Sequence, residues 1–190
     1  MKSILKTVAH GLSLALALLP GLLTGFGRSE GAFLLFAQAF ALIPGIVGDY
    51  LRIAYYKLTL AECALEARIQ FGSFFARPQA RVGRGVYIGA YCILGHTTIG
   101  DRTQIASGVQ ILSGRRQHAR DTEGRMQGSD HGEFTEVVIG ADCWIGASAV
   151  VMAEVGPGST VGAGAVVVKP VPAGSVAVGS PARVVDRALT

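Results

Sequence analysis

At 190 residues the chain is one domain, or one domain with an appendage. Half of its residues are hydrophobic, ample for a core, and only 16% are charged, which is low for a freely soluble protein. A formal net charge of +4 without a basic run suits an anionic surface or ligand and speaks against nucleic acid as a partner. The three cysteines, Cys63, Cys92 and Cys143, are scattered and form no CxxC pair, so neither a disulfide framework nor a zinc knuckle is indicated.

Residues 1–75 open the chain with two apolar, uncharged runs, Leu12 to Phe26 and Gly31 to Gly48. Each carries a Pro-Gly pair, Pro20-Gly21 and Pro44-Gly45. A spanning helix wants about 20 apolar residues, and proline bends or ends a helix. The expectation is two helices lying in, or dipping into, one leaflet of a membrane. A two-span hairpin and helices that only pack within an oligomer are the alternatives, together with a signal peptide suggested by "MKSILK" and the first apolar run. The amphipathic stretch after them places Tyr50, Arg52, Tyr55, Tyr56 and Lys57 at the expected membrane interface. Basic residues outnumber acidic ones after the apolar runs, which fits a cytoplasmic location for the remainder of the chain.

From residue 76 an aliphatic residue recurs about every sixth position, usually with glycine behind it. Val82-Gly83, Ile88-Gly89, Leu94-Gly95, Ile99-Gly100 and Ile105-Ala106 show the pattern. It resumes at Ile139-Gly140 and continues through Ile145, Val151, Val161 and Val167. Four residues after each aliphatic stands a small or medium residue, Cys92 and Cys143 among them. Period six is neither the 2 of a strand nor the 3.6 of a helix. It fits short strands joined by tight corners, three to a turn, with glycines supplying unusual corner torsions. The fold class is therefore mainly β, a left-handed parallel β-helix spanning residues 76–190 behind an apolar helical segment.

The frame breaks between Ser113 and Val137, an excursion holding Gly114, Gly124, Gly128 and Gly132 and many ionisable groups. So long a loop inside a solenoid is functional or solvated. His118 and His131 lie in it; His96 sits within a regular coil facing outward, and His10 lies in the apolar N-terminus.

"VVIGADCWIGASAVVM" and "VGAGAVVVKPVPAGSVAVGSPARVV" resemble the C-terminal half of hexapeptide-repeat acyltransferases over roughly residues 80 to 186, and are most similar to exopolysaccharide O-acetyltransferases of the colanic-acid type. The resemblance implies a homotrimer with acetyl-CoA in the groove between two subunits. It implies direct acetyl transfer to a sugar hydroxyl through a tetrahedral intermediate, with a histidine of the excursion as general base and no metal. His118 is the candidate base, displaced by two or three residues from where the galactoside-type relatives place it after Ser113-Gly114. Asp121, Asp130, Glu133 or a backbone carbonyl is available to orient it. Trp144, Ala147, Ala163, Val168, Lys169 and Arg183 are implied at the cofactor. Ala147 would offer a backbone N–H to the thioester where relatives often have serine, and Lys169 and Arg183 would meet the phosphates.

The reading from sequence is a membrane-attached acetyltransferase at the cytoplasmic face of a bacterial inner membrane, acting on an exopolysaccharide or its lipid-linked precursor. Cytoplasmic acetyl-CoA argues against a cleaved signal peptide. The alternatives are an enzyme acting on a soluble sugar or serine, a γ-carbonic-anhydrase-like zinc enzyme using His96, His118 and His131, and a non-catalytic membrane scaffold.

Overall fold

The computed structural model describes residues 2–114, 117–128 and 132–185. Three helices, α1 (Lys2–Leu23), α2 (Glu30–Ala41) and α3 (Gly45–Thr59), precede a solenoid of two- and three-residue strands. The first coil is β1 (Glu62–Cys63), β2 (Arg68–Ile69) and β3 (Phe74–Phe75); the second is β4 (Arg81–Val82), β5 (Tyr87–Ile88) and β6 (Ile93–Leu94). The third is β7 (Thr97–Ile99), β8 (Gln104–Ile105) and β9 (Gln110–Ile111), and the fourth is β10 (Val137–Ile139), β11 (Trp144–Ile145) and β12 (Val150–Val151). The fifth pairs through Val155, β13 (Thr160–Val161) and β14 (Val166–Val167); the sixth pairs through Val171 and β15 (Val176–Val178). β16 (Arg183–Val185) then turns back antiparallel on β15.

Strands stack in parallel register into three faces. Face A runs through β1, β4, β7 and β10, face B from β2 to β15, and face C from β3 to β14. The recurring aliphatics form the axis: Ile69, Ile88, Ile105, Ile145 and Val161 are completely buried on face B. The small residues four positions later are buried as well, and Thr103 among them bridges two coils, donating to the Gly140 carbonyl and accepting from the Cys143 amide.

Two expectations are corrected here. The solenoid starts at Glu62, so its first coil lies inside the stretch 1–75 assigned to helices. Cys63, Ile69 and Phe75 keep the six-residue step, but no glycine follows any of them. The glycines behind the aliphatics also serve a different purpose from corner torsion. A Cβ on Gly100 would lie 2.4 Å from the Ala141 nitrogen of the next coil, so glycine is there to let backbones stack. The left-handed residue comes two positions later, at Tyr91, Arg102, Asp142 and Ser148 as well as at glycines such as Gly174.

The helices cap the open end of the solenoid. α2 ends before Pro44, which cannot continue it, whereas Pro20 sits within α1 near its end. Of the residues expected at the membrane interface, Tyr55, Tyr56 and Arg52 are instead fully buried, Tyr50 is half-buried and Lys57 is exposed. The Tyr56 hydroxyl accepts the Phe75 amide at 3.1 Å. Arg52 donates to the Ile69 carbonyl of the first coil, to the Phe40 and Ile43 carbonyls at the end of α2, and to Asp49. Burial lowers the Arg52 pKa and Asp49 opposes the shift. α1 packs on α3 through Ser13, Ala17 and Gly21, small residues that let the helices approach, and leaves Leu12, Leu16, Leu19 and Leu23 in the open.

Gly100→Ala is expected to cost about 3 kcal/mol because two backbones must part. Gly174→Ala, at φ +66° with nothing within 4 Å, costs only about 1 kcal/mol of torsional strain. Denaturant midpoints of the two variants check the order; equal losses would remove the stacking explanation.

Candidate active site

The excursion leaves at Ser113 through a closed neck. Thr135 N–H donates to the Ser113 carbonyl at 3.1 Å and Val137 N–H to the His96 carbonyl at 2.9 Å. The buried Ser113 hydroxyl accepts the His96 amide at 2.8 Å. His96 is thus half-buried at the neck, held by its backbone rather than simply facing solvent.

Beyond the neck the chain forms a small hairpin. Arg120 pairs antiparallel with Met126, and the Gln127 N–H reaches the Ala119 carbonyl. Asp121 closes its turn: one carboxylate oxygen accepts the Glu123 and Arg125 amides, both at 2.9 Å. Asp121, one of the groups the sequence offers to orient His118, uses this oxygen to close its own turn, an ordinary role of aspartate where successive amides point inward. His118 is exposed just ahead of the hairpin, and no hydrogen bond holds its ring among the described residues. His131 and Asp130 lie outside the described residues. On the return limb Phe134 lies under Arg77, with the guanidinium carbon 4.0 Å from the ring centre, and Arg77 bonds Glu30 at the start of α2 at 2.7 Å.

The expected cofactor residues fall into two groups. Trp144 is 59% exposed on face B, and Ala147 and Ala163 follow it on the edge between faces B and C, one coil above the other. Along this edge the Ala90 amide is capped by the Ser107 hydroxyl at 3.2 Å. At Ala147 the next coil has Ala163, with no hydroxyl to offer, and the Ala147 N–H makes no hydrogen bond among the described residues. β16 brings exposed Arg183 back beside Val178, and Ala182 N–H reaches the Val166 carbonyl. Val168 and Lys169 lie elsewhere, on the edge between faces C and A, as do His96 and the excursion. The structure thus gathers Trp144, Ala147, Ala163 and Arg183 around face B and its C edge, and separates them from His118.

The thiols offer no alternative nucleophile. Burial pushes Cys63 up to about 12 and raises Cys92 and Cys143, so all three stay protonated at neutral pH. Among the described residues no cluster of three or more His, Cys, Asp or Glu side chains could hold a metal.

Residues 79–113 match the family described as bacterial transferase hexapeptide (six repeats), and residues 136–169 the hexapeptide repeat of succinyl-transferase. Nodulation protein L of Rhizobium leguminosarum bv. viciae is 42% identical over 113 residues, 55% of each chain; the match thus spans about half the length of that relative. A galactoside acetyltransferase solved with coenzyme A superposes with a TM-score of 0.67 at 24% identity, covering 83% of this chain and 81% of that one; this likeness is one of fold. The polySia-specific acetyltransferase NeuO is 27% identical with a TM-score of 0.50, over 64% of this chain and 61% of that one.

Asp121→Ala is expected to speed hydrogen exchange at the Glu123 and Arg125 amides, whereas Asp121→Asn, which keeps an acceptor, leaves them protected. Unchanged exchange in the alanine variant would mean the turn does not need its carboxylate.

Proposed function

We propose that this chain, whose coils are hexapeptide repeats of the bacterial transferase family, is an acetyl-CoA-dependent O-acetyltransferase acting on a sugar hydroxyl at a membrane surface. The observation that carries the reading is the separation of the site into two edges of one prism. His118 leaves the C–A edge, while Trp144, Ala147 and Ala163 occupy face B and the B–C edge. A complete site then forms where the excursion of one copy meets the B–C edge of another, and three copies close such a head-to-tail contact into a ring. The likeness to a polySia-specific acetyltransferase supports a sugar acceptor, here an exopolysaccharide or its lipid-linked precursor.

In this arrangement His118 takes the proton of the acceptor hydroxyl as its oxygen attacks the thioester carbonyl. The unpaired Ala147 N–H is a donor for the oxygen that becomes anionic. The exposed Arg183 and Lys169 are cations for phosphate groups, and the exposed Trp144 gives the pantetheine arm or the sugar an apolar wall. Coenzyme A supplies the activated acyl group, and these residues suit its charge and length. Asp121 positions His118 indirectly, by closing the hairpin that begins beside it.

α1 supports a membrane surface as the place of action. Residues 4–23 are long and apolar enough to cross a bilayer, and only 17% of that window is buried. α1 also packs against α3, which rests on the first coil, so one side of α1 is occupied by protein. A helix held flat in that way suits the interface plane, its leucine face in lipid and the coils standing above.

His118→Ala is expected to lower turnover about 10²–10⁴-fold while acetyl-CoA affinity stays near wild type. Retention of more than about a tenth of the activity rules out His118 as base, since that range begins at a hundredfold. The full chain is expected to sediment with membranes as a trimer in mild detergent; a soluble, fully active monomer overturns both the attachment and the shared site.

A further inference from the structure

At the capped end of the solenoid lies a cavity of about 680 Å³ between α1, α3 and the first coil. Lys6, His10, Asp49, Tyr50, Glu66 and Arg68 are among its polar lining, together with Thr7. A second cavity of about 450 Å³, almost wholly apolar, shares Lys6, Ile46 and Tyr50 with the first and adds Leu5, Ala9 and Val47. Through these shared residues a half-open pocket with charged groups in its wall adjoins a half-open apolar one along α1.

The charges favour an anion in the chamber. Asp49 is already engaged by Arg52 at 2.7 Å and by Arg68 at 3.0 Å. Lys6 and Arg68 are matched in number by Asp49 and Glu66 in the wall, and the buried Arg52, which bonds Asp49 from behind, tips the balance to one net positive charge. Among the described residues Nδ1 of His10 is buried without a hydrogen-bond partner, its ring edge-on to Tyr50 at 4.8 Å, a sign of a polar chamber incompletely satisfied by the protein. The channel beside it ends among Leu5, Ile46 and Val47, which are 61–71% exposed. A phosphate ester with a long hydrocarbon chain matches both halves.

Arg68 also begins a column. On face B it pairs in register with Tyr87, Tyr87 with Gln104, and Gln104 with Trp144. Three strand steps of about 4.8 Å place Trp144 about 14 Å above Arg68. Tyr87 and Trp144 offer flat faces to sugar rings, and Gln104 lies between them.

We propose that this chamber and channel bind the lipid-phosphate carrier of the acceptor, with its phosphate at Lys6 and Arg68, its hydrocarbon along Leu5, Ile46 and Val47, and its saccharide laid up face B through Tyr87 and Gln104 to Trp144. The proposal rests on the acetyltransferase reading above for what happens at Trp144, but the lipid site stands on its own geometry.

The test is co-flotation of the full chain with three kinds of vesicle: phosphatidylcholine alone, phosphatidylcholine with a long-chain prenyl phosphate, and phosphatidylcholine with phosphatidylglycerol at equal charge. Prenyl phosphate is expected to strengthen binding about tenfold over phosphatidylglycerol, two charge-assisted contacts being worth at least that. Lys6→Ala with Arg68→Gln, folded by circular dichroism, is expected to erase the preference and keep the binding to plain phosphatidylcholine. Equal binding to the two anionic surfaces, or a preference that survives the double variant, overturns the site. His118→Ala keeps the preference, so a failed acetyl-transfer assay and a failed lipid site are read separately.

Discussion

A solenoid has an interior only where one coil lies on another, so the first coil stays half-exposed until something covers it. Here α3 covers it, and Arg52 makes the join. One guanidinium reaches the Ile69 carbonyl of the first coil, the carbonyls that α2 leaves orphaned at its end, and Asp49 within α3. Three helices and the coil below are thereby tied through a single side chain, since α1 packs on α3. A charge so deep is costly unless every donor is met, and removing its partner typically costs about 3–5 kcal/mol. Tyr55 and Tyr56 work beside it: Tyr55 donates to the Phe33 carbonyl of α2, and Tyr56 accepts from Phe75 below.

This cap explains where the sequence was readable and where it was not. The coils from Val82 onward announce themselves, because the axial aliphatic and the close-stacking glycine recur together. The first coil was hidden because Ala64, Gln70 and Ala76 stand where glycine would, although the second coil stacks on them as on any other. Tyr55, Tyr56 and Arg52 look like a membrane interface in one dimension; only the fold shows that they point into the protein. The ten-residue step from Val151 to Val161 likewise resolves once Val155 is seen on face A, paired with Ile139 and Val171.

At the candidate site, the excursion and His118 were legible as a break in a period. Asp121 was not, since its carboxylate serves its own turn. Nor could spacing along the chain reveal Glu30 under Arg77 and Arg77 over Phe134, contacts that join α2, the start of the second coil and the returning limb of the excursion. That the Ala147 amide has no partner among the described residues depends on the next coil having alanine, not serine, at 163, and no single residue encodes it. Splitting the site between two edges is likewise a matter of where each residue falls around the prism.

The neck of the excursion has a consequence for how such a protein can diversify. Val137 and Ile139 sit beside Thr97 and Ile99 in the same register that coils keep elsewhere, as if nothing had been inserted. Ser113, His96 and Thr135 close the opening with their own hydrogen bonds. The coil register is therefore kept across the insertion, even though Phe134 of its return limb also packs on Arg77. An insertion at this neck can thus change in length and chemistry while the coils on either side keep their register.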